Sequence, residues 1–181
     1  MPNRNERQWF FDRLKIKAVI RKNRKQIPKK VYVFLDFDGV VNVFVMPGTK
    51  KYKEVEESGK FEFFDRDCVA NLNRLAKDYP LSIVVSSSWR FGGLDYCMEY
   101  LQDAGMEDHV RFDDVTSLEV MESREDLIAD YLLEHQDFCG FVIFDDMTMP
   151  HLNEYLVQTN PLRGWDEERD RYARKIIDKF M

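Results

Sequence analysis

Three short stretches of the chain are almost continuously apolar: VYVFL at 31–35, LSIVVSS at 81–87 and GFVIFDD at 140–146. Runs this short are strand-like, and unbroken apolarity marks strands covered on both faces. They are read as strands over 31–36, 81–87 and 140–146. Between them, apolar positions recur at helical spacing. Val69, Leu72 and Leu75 share one face over 65–78. Residues 6–26 predict an amphipathic helix stopped near Pro28, with Trp9, Phe10, Phe11, Leu14 and Ile20 turned inward. Gly92 and Gly93 open a helix that ends near Gly105, and Ser123 with Asp126 caps one running through His135. A charged helix follows over 166–180, with Tyr172, Ile176 and Phe180 as its apolar stripe. HVRF at 109–112 reads as a short strand. Residues 43–64, with Pro47, Gly48 and Gly59, read as a flap or hairpin. Strands alternating with helices predict an α/β fold of three layers, a Rossmann-like parallel sheet with helices on both faces.

Composition narrows the class. The chain has 181 residues, 44% hydrophobic and 33% charged, which suits one domain with a substantial core. No apolar run reaches the roughly 18 residues that a membrane span requires, and the N-terminus lacks the apolar centre of a secretory signal. Cys68, Cys97 and Cys139 make neither a disulfide framework nor metal-ligand spacing, so a reducing, cytoplasmic setting is expected. Charge is uneven. Residues 1–30 carry eleven Lys/Arg against Glu6 and Asp12, a net +9, which leaves −15 on the rest. Such a basic arm suits nucleic acid, an anionic membrane or an acidic partner; equally, it suits a helix lying on its own acidic body.

The chemistry gathers where the strands end. The first ends in Asp36 and Asp38, followed at once by Gly39; the second in Ser86, Ser87 and Ser88; the third in Asp145 and Asp146. Ligands of parallel sheets bind beyond the carboxyl ends of the strands. Either acidic pair alone reads as turn or cap chemistry. Both pairs with a serine run between them read as a cluster of hard oxygen donors, which suits Mg²⁺ rather than zinc.

DFDGVVN, VVSSSWR and VIFDD resemble the first, second and fourth motifs of the haloacid-dehalogenase-like (HAD-like) phosphohydrolases. The combination is most similar to the small HAD-like domains associated with RNA-repair proteins, over about residues 31–162. The basic arm at 1–30 lies outside the resemblance, which implies a HAD-like phosphatase domain at 31–181. It implies Asp36 as nucleophile, forming an aspartyl phosphate, and Asp38 as the acid that protonates the leaving group and then activates water, which needs a pKa raised towards neutrality. Mg²⁺ is expected on the Asp36 side chain, the Asp38 carbonyl and the pair Asp145 and Asp146, with Asp146 the direct ligand. Ser86 is expected to bind a phosphate oxygen, with Gly39, Ser87 and Arg90 as further substrate contacts. The family's third motif is usually a lysine, but no lysine lies between residues 78 and 174. Arg124, at the start of the helix before the third strand, takes that place. The intervals between motifs are too short for a large cap, so the site is expected to be essentially capless, open to phosphate on an extended partner. Lys50, Lys51, Lys53 and Lys60 in the 43–64 segment could guide a polyanion, although Glu54, Glu56 and Glu57 accompany them. Thr159, Asn160 and Pro161 resemble a family loop of no assigned role. The function implied is a Mg²⁺-dependent phosphomonoesterase, on polynucleotide 3′-phosphate ends; on nucleotides, small metabolites or phosphoproteins; or, without turnover, a binding module that uses the arm.

Overall fold

The computed structural model describes residues 4–59 and 64–181. Its five strands, β1 (Val31–Leu35), β2 (Leu81–Val85), β3 (Phe112–Val115), β4 (Gly140–Asp145) and β5 (Leu156–Gln158), form one parallel sheet in the order β3-β2-β1-β4-β5. Every residue of β1, β2 and β4 is buried, so both faces of the central sheet are covered. The helices are α1 (Glu6–Asn23), α2 (Lys50–Ser58), α3 (Arg66–Asp78), α4 (Leu94–Asp103), α5 (Arg124–Glu134) and α6 (Glu167–Ile177). α1 packs on α5, and α3 packs on α6. The side chains of Asn5, Thr49, Asp65, Ser123 and Asp166 cap α1, α2, α3, α5 and α6 by accepting first-turn amides.

The chain runs outward from β1 through β2 to β3, then returns to β4 and β5 on the other side. The switch point therefore lies between β1 and β4, where α/β sheets open a crevice at their carboxyl edge. Asp36 and Asp145 flank it.

Several expectations are corrected. The segment at 43–64 is not a hairpin: among its described residues lies α2, capped by Thr49 and stopped at Gly59 with φ +64°. Gly59 is a left-handed helix stop rather than a hairpin signal. Lys60 lies outside the described residues. The third strand in sequence sits at 112–115 instead of 109–112. It is an edge strand that pairs only with β2, so Asp113 and Asp114 are tolerated there; Asp113 accepts from Ser82 Oγ at 2.7 Å. β5 was not anticipated, because three residues carry too little pattern.

The inward face of α1 is also different. Trp9, Asp12, Ile16, Val19 and Asn23 are buried, a stripe at helical spacing, and Ile20 packs at its margin. Phe10, Phe11 and Leu14 fall on the opposite side and are exposed. In α6, Ala173, Ile176, Ile177 and then Phe180 are buried, while Tyr172 is exposed. The three cysteines are free and buried, and no helix among the described residues is long and apolar enough to cross a membrane.

This orientation makes a sharp prediction. Trp9→Ala should cost about 3 kcal/mol in urea unfolding, whereas Leu14→Ala, on the exposed side, should change stability by less than about 0.5 kcal/mol. Equal losses would mean that the buried stripe is wrongly assigned.

Candidate active site

The sheet register assembles the site. Leu35 pairs with Val85 on one side and Phe144 on the other. The next residue along, Asp36, therefore falls beside Ser86 and Asp145. The backbone ladder continues to that level: Asp36 N–H donates to Phe144 O at 2.9 Å, Ser86 N–H to Leu35 O at 3.0 Å and Thr116 N–H to Val85 O at 2.9 Å. Thr116, Ser86, Asp36 and Asp145 thus form a row across four adjacent strand ends, and in-register neighbours of a parallel sheet share a face.

Carboxylate oxygens of Asp36, Asp145 and Asp146 lie within 4.8 Å of one another. A single nitrogen of Arg124 meets both buried acids, 2.5 Å from Asp36 Oδ2 and 2.7 Å from Asp145 Oδ2. Burial and the Asp145 charge push the Asp36 carboxyl up to about 6, against the pull of Arg124, the Ser87 hydroxyl and the Phe37 amide. Burial likewise raises Asp145, opposed by Arg124. Burial alone would lower the Arg124 guanidinium, but Asp36 and Asp145 raise it. Three atoms of the row are buried without a hydrogen bond of ordinary geometry among the described residues: Asp36 Oδ1, Ser86 Oγ and Thr116 Oγ1. Unpaired buried polar atoms are rare and require an explanation.

Asp38 is not one of these three clustered acids. Its Oδ1 accepts from Asn42 Nδ2 at 2.8 Å and its Oδ2 from Trp89 Nε1 at 3.1 Å. Gly39 adopts φ +76°, and a Cβ there would lie 2.7 Å from Asp146 Oδ2. Its missing side chain leaves room for Asp146. Thr159 Oγ1 donates to Gly39 O at 2.7 Å, and Thr159 N–H to Asp145 O at 2.9 Å, so the 159–161 loop ties the β1 turn to β4.

The HAD domain in Swiss Army Knife RNA repair proteins matches residues 32–169 of this chain. The chain belongs to this family. No curated protein and no solved structure matches the chain. Membership in a HAD family points to phosphohydrolase chemistry and to Mg²⁺ as the usual cofactor. In this HAD domain the donor set fits such an ion. Three hard carboxylates and one guanidinium leave two negative charges unmatched, and Asp36 Oδ1 is a buried oxygen without a hydrogen bond of ordinary geometry among the described residues.

The remaining expected residues fall in different places. Ser87 is buried beside the row and caps the turn at Ser88–Gly92 through Trp89 N–H. Arg90 is buried and donates to the carbonyls of Ser87 at 3.0 Å, Ser117 at 2.9 Å and Glu119 at 3.4 Å. Its guanidinium is engaged by backbone, so it braces the loop after β3 instead of presenting a free fork. Trp89 holds Asp38. Asn42 and Thr116 were missed. Asn42 is the last residue of DFDGVVN, but only the bend after Gly39 brings it back to Asp38. Thr116 carries no sequence signal, because the strand ahead of it was misplaced.

Arg124 depends on α1, all of which lies outside the family match. The next residue of α5, Glu125, accepts from the amides of His151 and Leu152 at 2.7 Å and from His151 Nδ1 at 3.0 Å. Trp9 stacks on the His151 ring at 4.5 Å, and Glu6 meets its other nitrogen at 3.1 Å. Arg4 bonds Asp126 and Asp130 of α5. α1 therefore grips both the first turn of α5 and the loop after β4.

Two outcomes follow. Ser86→Ala and Thr116→Val delete unpaired hydroxyls, so urea unfolding should show stability unchanged or raised by up to about 1 kcal/mol; a loss above about 2 kcal/mol would reveal hidden partners. Partial burial would lower the His151 imidazole, but Glu125 and Glu6 outweigh it and raise it above the ordinary 6.5. A raised folded-state value contributes stability below the ordinary value and loses it as pH rises through the raised one. The stability advantage of wild type over His151→Gln should therefore be full well below the ordinary imidazole value and shrink as pH rises above about 6.5. An advantage that grows over that rise would contradict the Glu6–His151–Glu125 arrangement.

Proposed function

We propose that this HAD domain is a Mg²⁺-dependent phosphomonoesterase that acts through an aspartyl phosphate on Asp36, with polynucleotide 3′-phosphate ends as substrate. The observation that carries the reading is the meeting of Asp36, Asp145 and Asp146 at one point, with Arg124 across them. Mg²⁺ would be held by the Asp36 side chain, the Asp38 carbonyl and Asp146, with Asp145 in support. Bound there, it would neutralise the phosphoryl oxygens that otherwise repel a carboxylate nucleophile.

The residues divide the remaining work. Asp36 attacks phosphorus; its P–O bond forms as the bond to the leaving oxygen breaks. Asp38 gives that oxygen its proton, then takes one from the water that attacks phosphorus and releases inorganic phosphate. Trp89 and Asn42 fix the Asp38 carboxyl for both transfers. Ser86 Oγ, unpaired in the row, donates to a phosphate oxygen. Arg124 supplies the positive charge that a lysine gives elsewhere in the family, and its double contact holds Asp36 beside Asp145.

A polynucleotide is favoured over a small metabolite by the open site and the basic arm. The insert between β1 and α3 contributes one nine-residue helix among its described residues, too little to enclose a small substrate. On the arm, Arg4, Arg13, Lys15 and Lys17 are committed to acids of the chain. Arg7, Arg21, Lys22, Arg24 and Lys25 have no acidic partner among the described residues and remain for an anionic partner.

The test is phosphate release from 3′- and 5′-phosphorylated oligonucleotides, mononucleotides, phosphopeptides and an aryl phosphate. Release should be fastest from the 3′-phosphorylated oligonucleotide, stop on chelation and return with Mg²⁺. Asp36→Asn should lose at least about 10³-fold, and Asp38→Asn about 10²- to 10⁴-fold. Arg124→Lys should keep more activity than Arg124→Ala. No Mg²⁺-dependent release from any of these compounds would overturn the enzymatic reading in favour of a binding module.

A further inference from the structure

An open groove of about 440 Å³ runs between the edge strand β5 and α6. One wall offers Asn153, Leu156 and Gln158; the other offers Arg169, Arg171, Tyr172 and Lys175. Its upper end touches the catalytic rim, since Gln158 Nε2 donates to Asp146 O at 3.0 Å and Arg169 Nε to Gln158 O at 2.8 Å. Arg171 and Lys175 have no acidic partner among the described residues. The one acid of the lining, Glu168, is held by Arg169 at 3.1 Å. Neighbouring Glu154 is likewise engaged, by Lys17 at 2.8 Å and Arg13 at 3.4 Å. Tyr172 is 46% exposed, an aromatic face standing in water between cations.

A second groove, of about 240 Å³, lies beyond Tyr155. Lys17, Arg21 and Arg24 of α1 line it together with Lys179, and no acid does. The short chain from Asn153 to Leu156 separates the two. On a chain of net charge −6, a band of cations that starts beside the catalytic acids and ends on α1 is a local reversal of sign.

We propose that the β5–α6 groove is a track for single-stranded nucleic acid, carrying the substrate strand from the catalytic rim to the basic face of α1; this rests on the polynucleotide reading above. A track for one strand needs cations spaced along a concave path, an exposed aromatic face for a base, and few competing acids. Arg171 and Lys175 meet the phosphodiesters, Tyr172 stacks, and the Asn153 and Gln158 amides meet base or sugar edges. A membrane surface has no use for a concave path with amides on its wall.

The test uses Arg171→Glu/Lys175→Glu, two exposed positions without acidic partners among the described residues, and Tyr172→Ala. Binding of a fluorescent 3′-phosphorylated single strand of about a dozen nucleotides is measured in an Asp36→Asn background, so turnover plays no part. The double variant should bind at least about tenfold more weakly, and the slope of log affinity against log salt should flatten by about 1.4, at about 0.7 per lost phosphate contact. Tyr172→Ala should lose about tenfold. With Asp36 restored, aryl-phosphate turnover should be unchanged by these substitutions, which shows the fold intact. Unaltered affinity and salt slope, no oligonucleotide binding at all, or loss confined to anionic lipid vesicles would each overturn the track. Groove-dependent binding without phosphate release would sink the proposed activity and leave the track standing. Phosphate release with kcat/KM unchanged in the double variant would do the reverse.

Discussion

Two carboxylates on adjacent strands at the same level of a parallel sheet cannot avoid each other. The pairing of Leu35 with Phe144 forces Asp36 and Asp145 side by side, both buried, with Asp146 next along the chain. At about 4 Å and an effective dielectric near 20, two like charges repel by about 4 kcal/mol. The fold answers with one guanidinium on both acids, and much of the surrounding structure keeps it there. Arg124 begins α5 and is capped into place by Ser123. Glu125 binds the loop after β4, and α1 lies across both through Arg4, Trp9 and His151. The N-terminal helix, peripheral to the sheet, thus takes part in its electrostatics.

The same logic explains how a strongly basic segment and a strongly acidic body share one chain. Along the buried stripe of α1, Asp12 accepts from Gln8, Arg4 and Lys15; burial would raise its carboxyl, and these donors lower it instead. Arg4 reaches α5, and Arg13 and Lys17 reach Glu154. Part of the arm's charge is thus neutralised within the molecule. Apart from Arg7, what is left over lies towards the end of α1, where Arg21 and Arg24 line a groove with Tyr155, Lys179 and Phe180.

Much of the fold was legible because its central strands are written without ambiguity. VYVFL, LSIVV and GFVIF are buried on both faces, so no polar residue interrupts them, and their ends are marked by the charges that cannot continue inward. Asp36, Ser86 and Asp145 were found for that reason, and Arg124 through the family resemblance, as the cation in place of the missing lysine. The edge strands were misplaced or missed because a strand paired on one side is free to carry acids, as β3 does, or to be three residues long, as β5 is. Gly59 shows a further limit. A glycine marks a positive φ but does not say whether a hairpin or a helix requires it.

The sequence by itself determined which residues lie at the carboxyl ends of strands, since burial is a local cost that each position must meet alone. It therefore settled the three central strands, the acidic rim and the family. Only the tertiary structure decided what those residues touch. That Arg124 spans Asp36 and Asp145, that Trp89 and Asn42 hold Asp38, that Arg90 is engaged by carbonyls, and that Trp9 rather than Phe10 docks α1 are all matters of direction. Direction is fixed by strand order, register and helix rotation. These depend on contacts between segments a hundred or more residues apart, such as Arg4 with Asp126, and no local pattern encodes them.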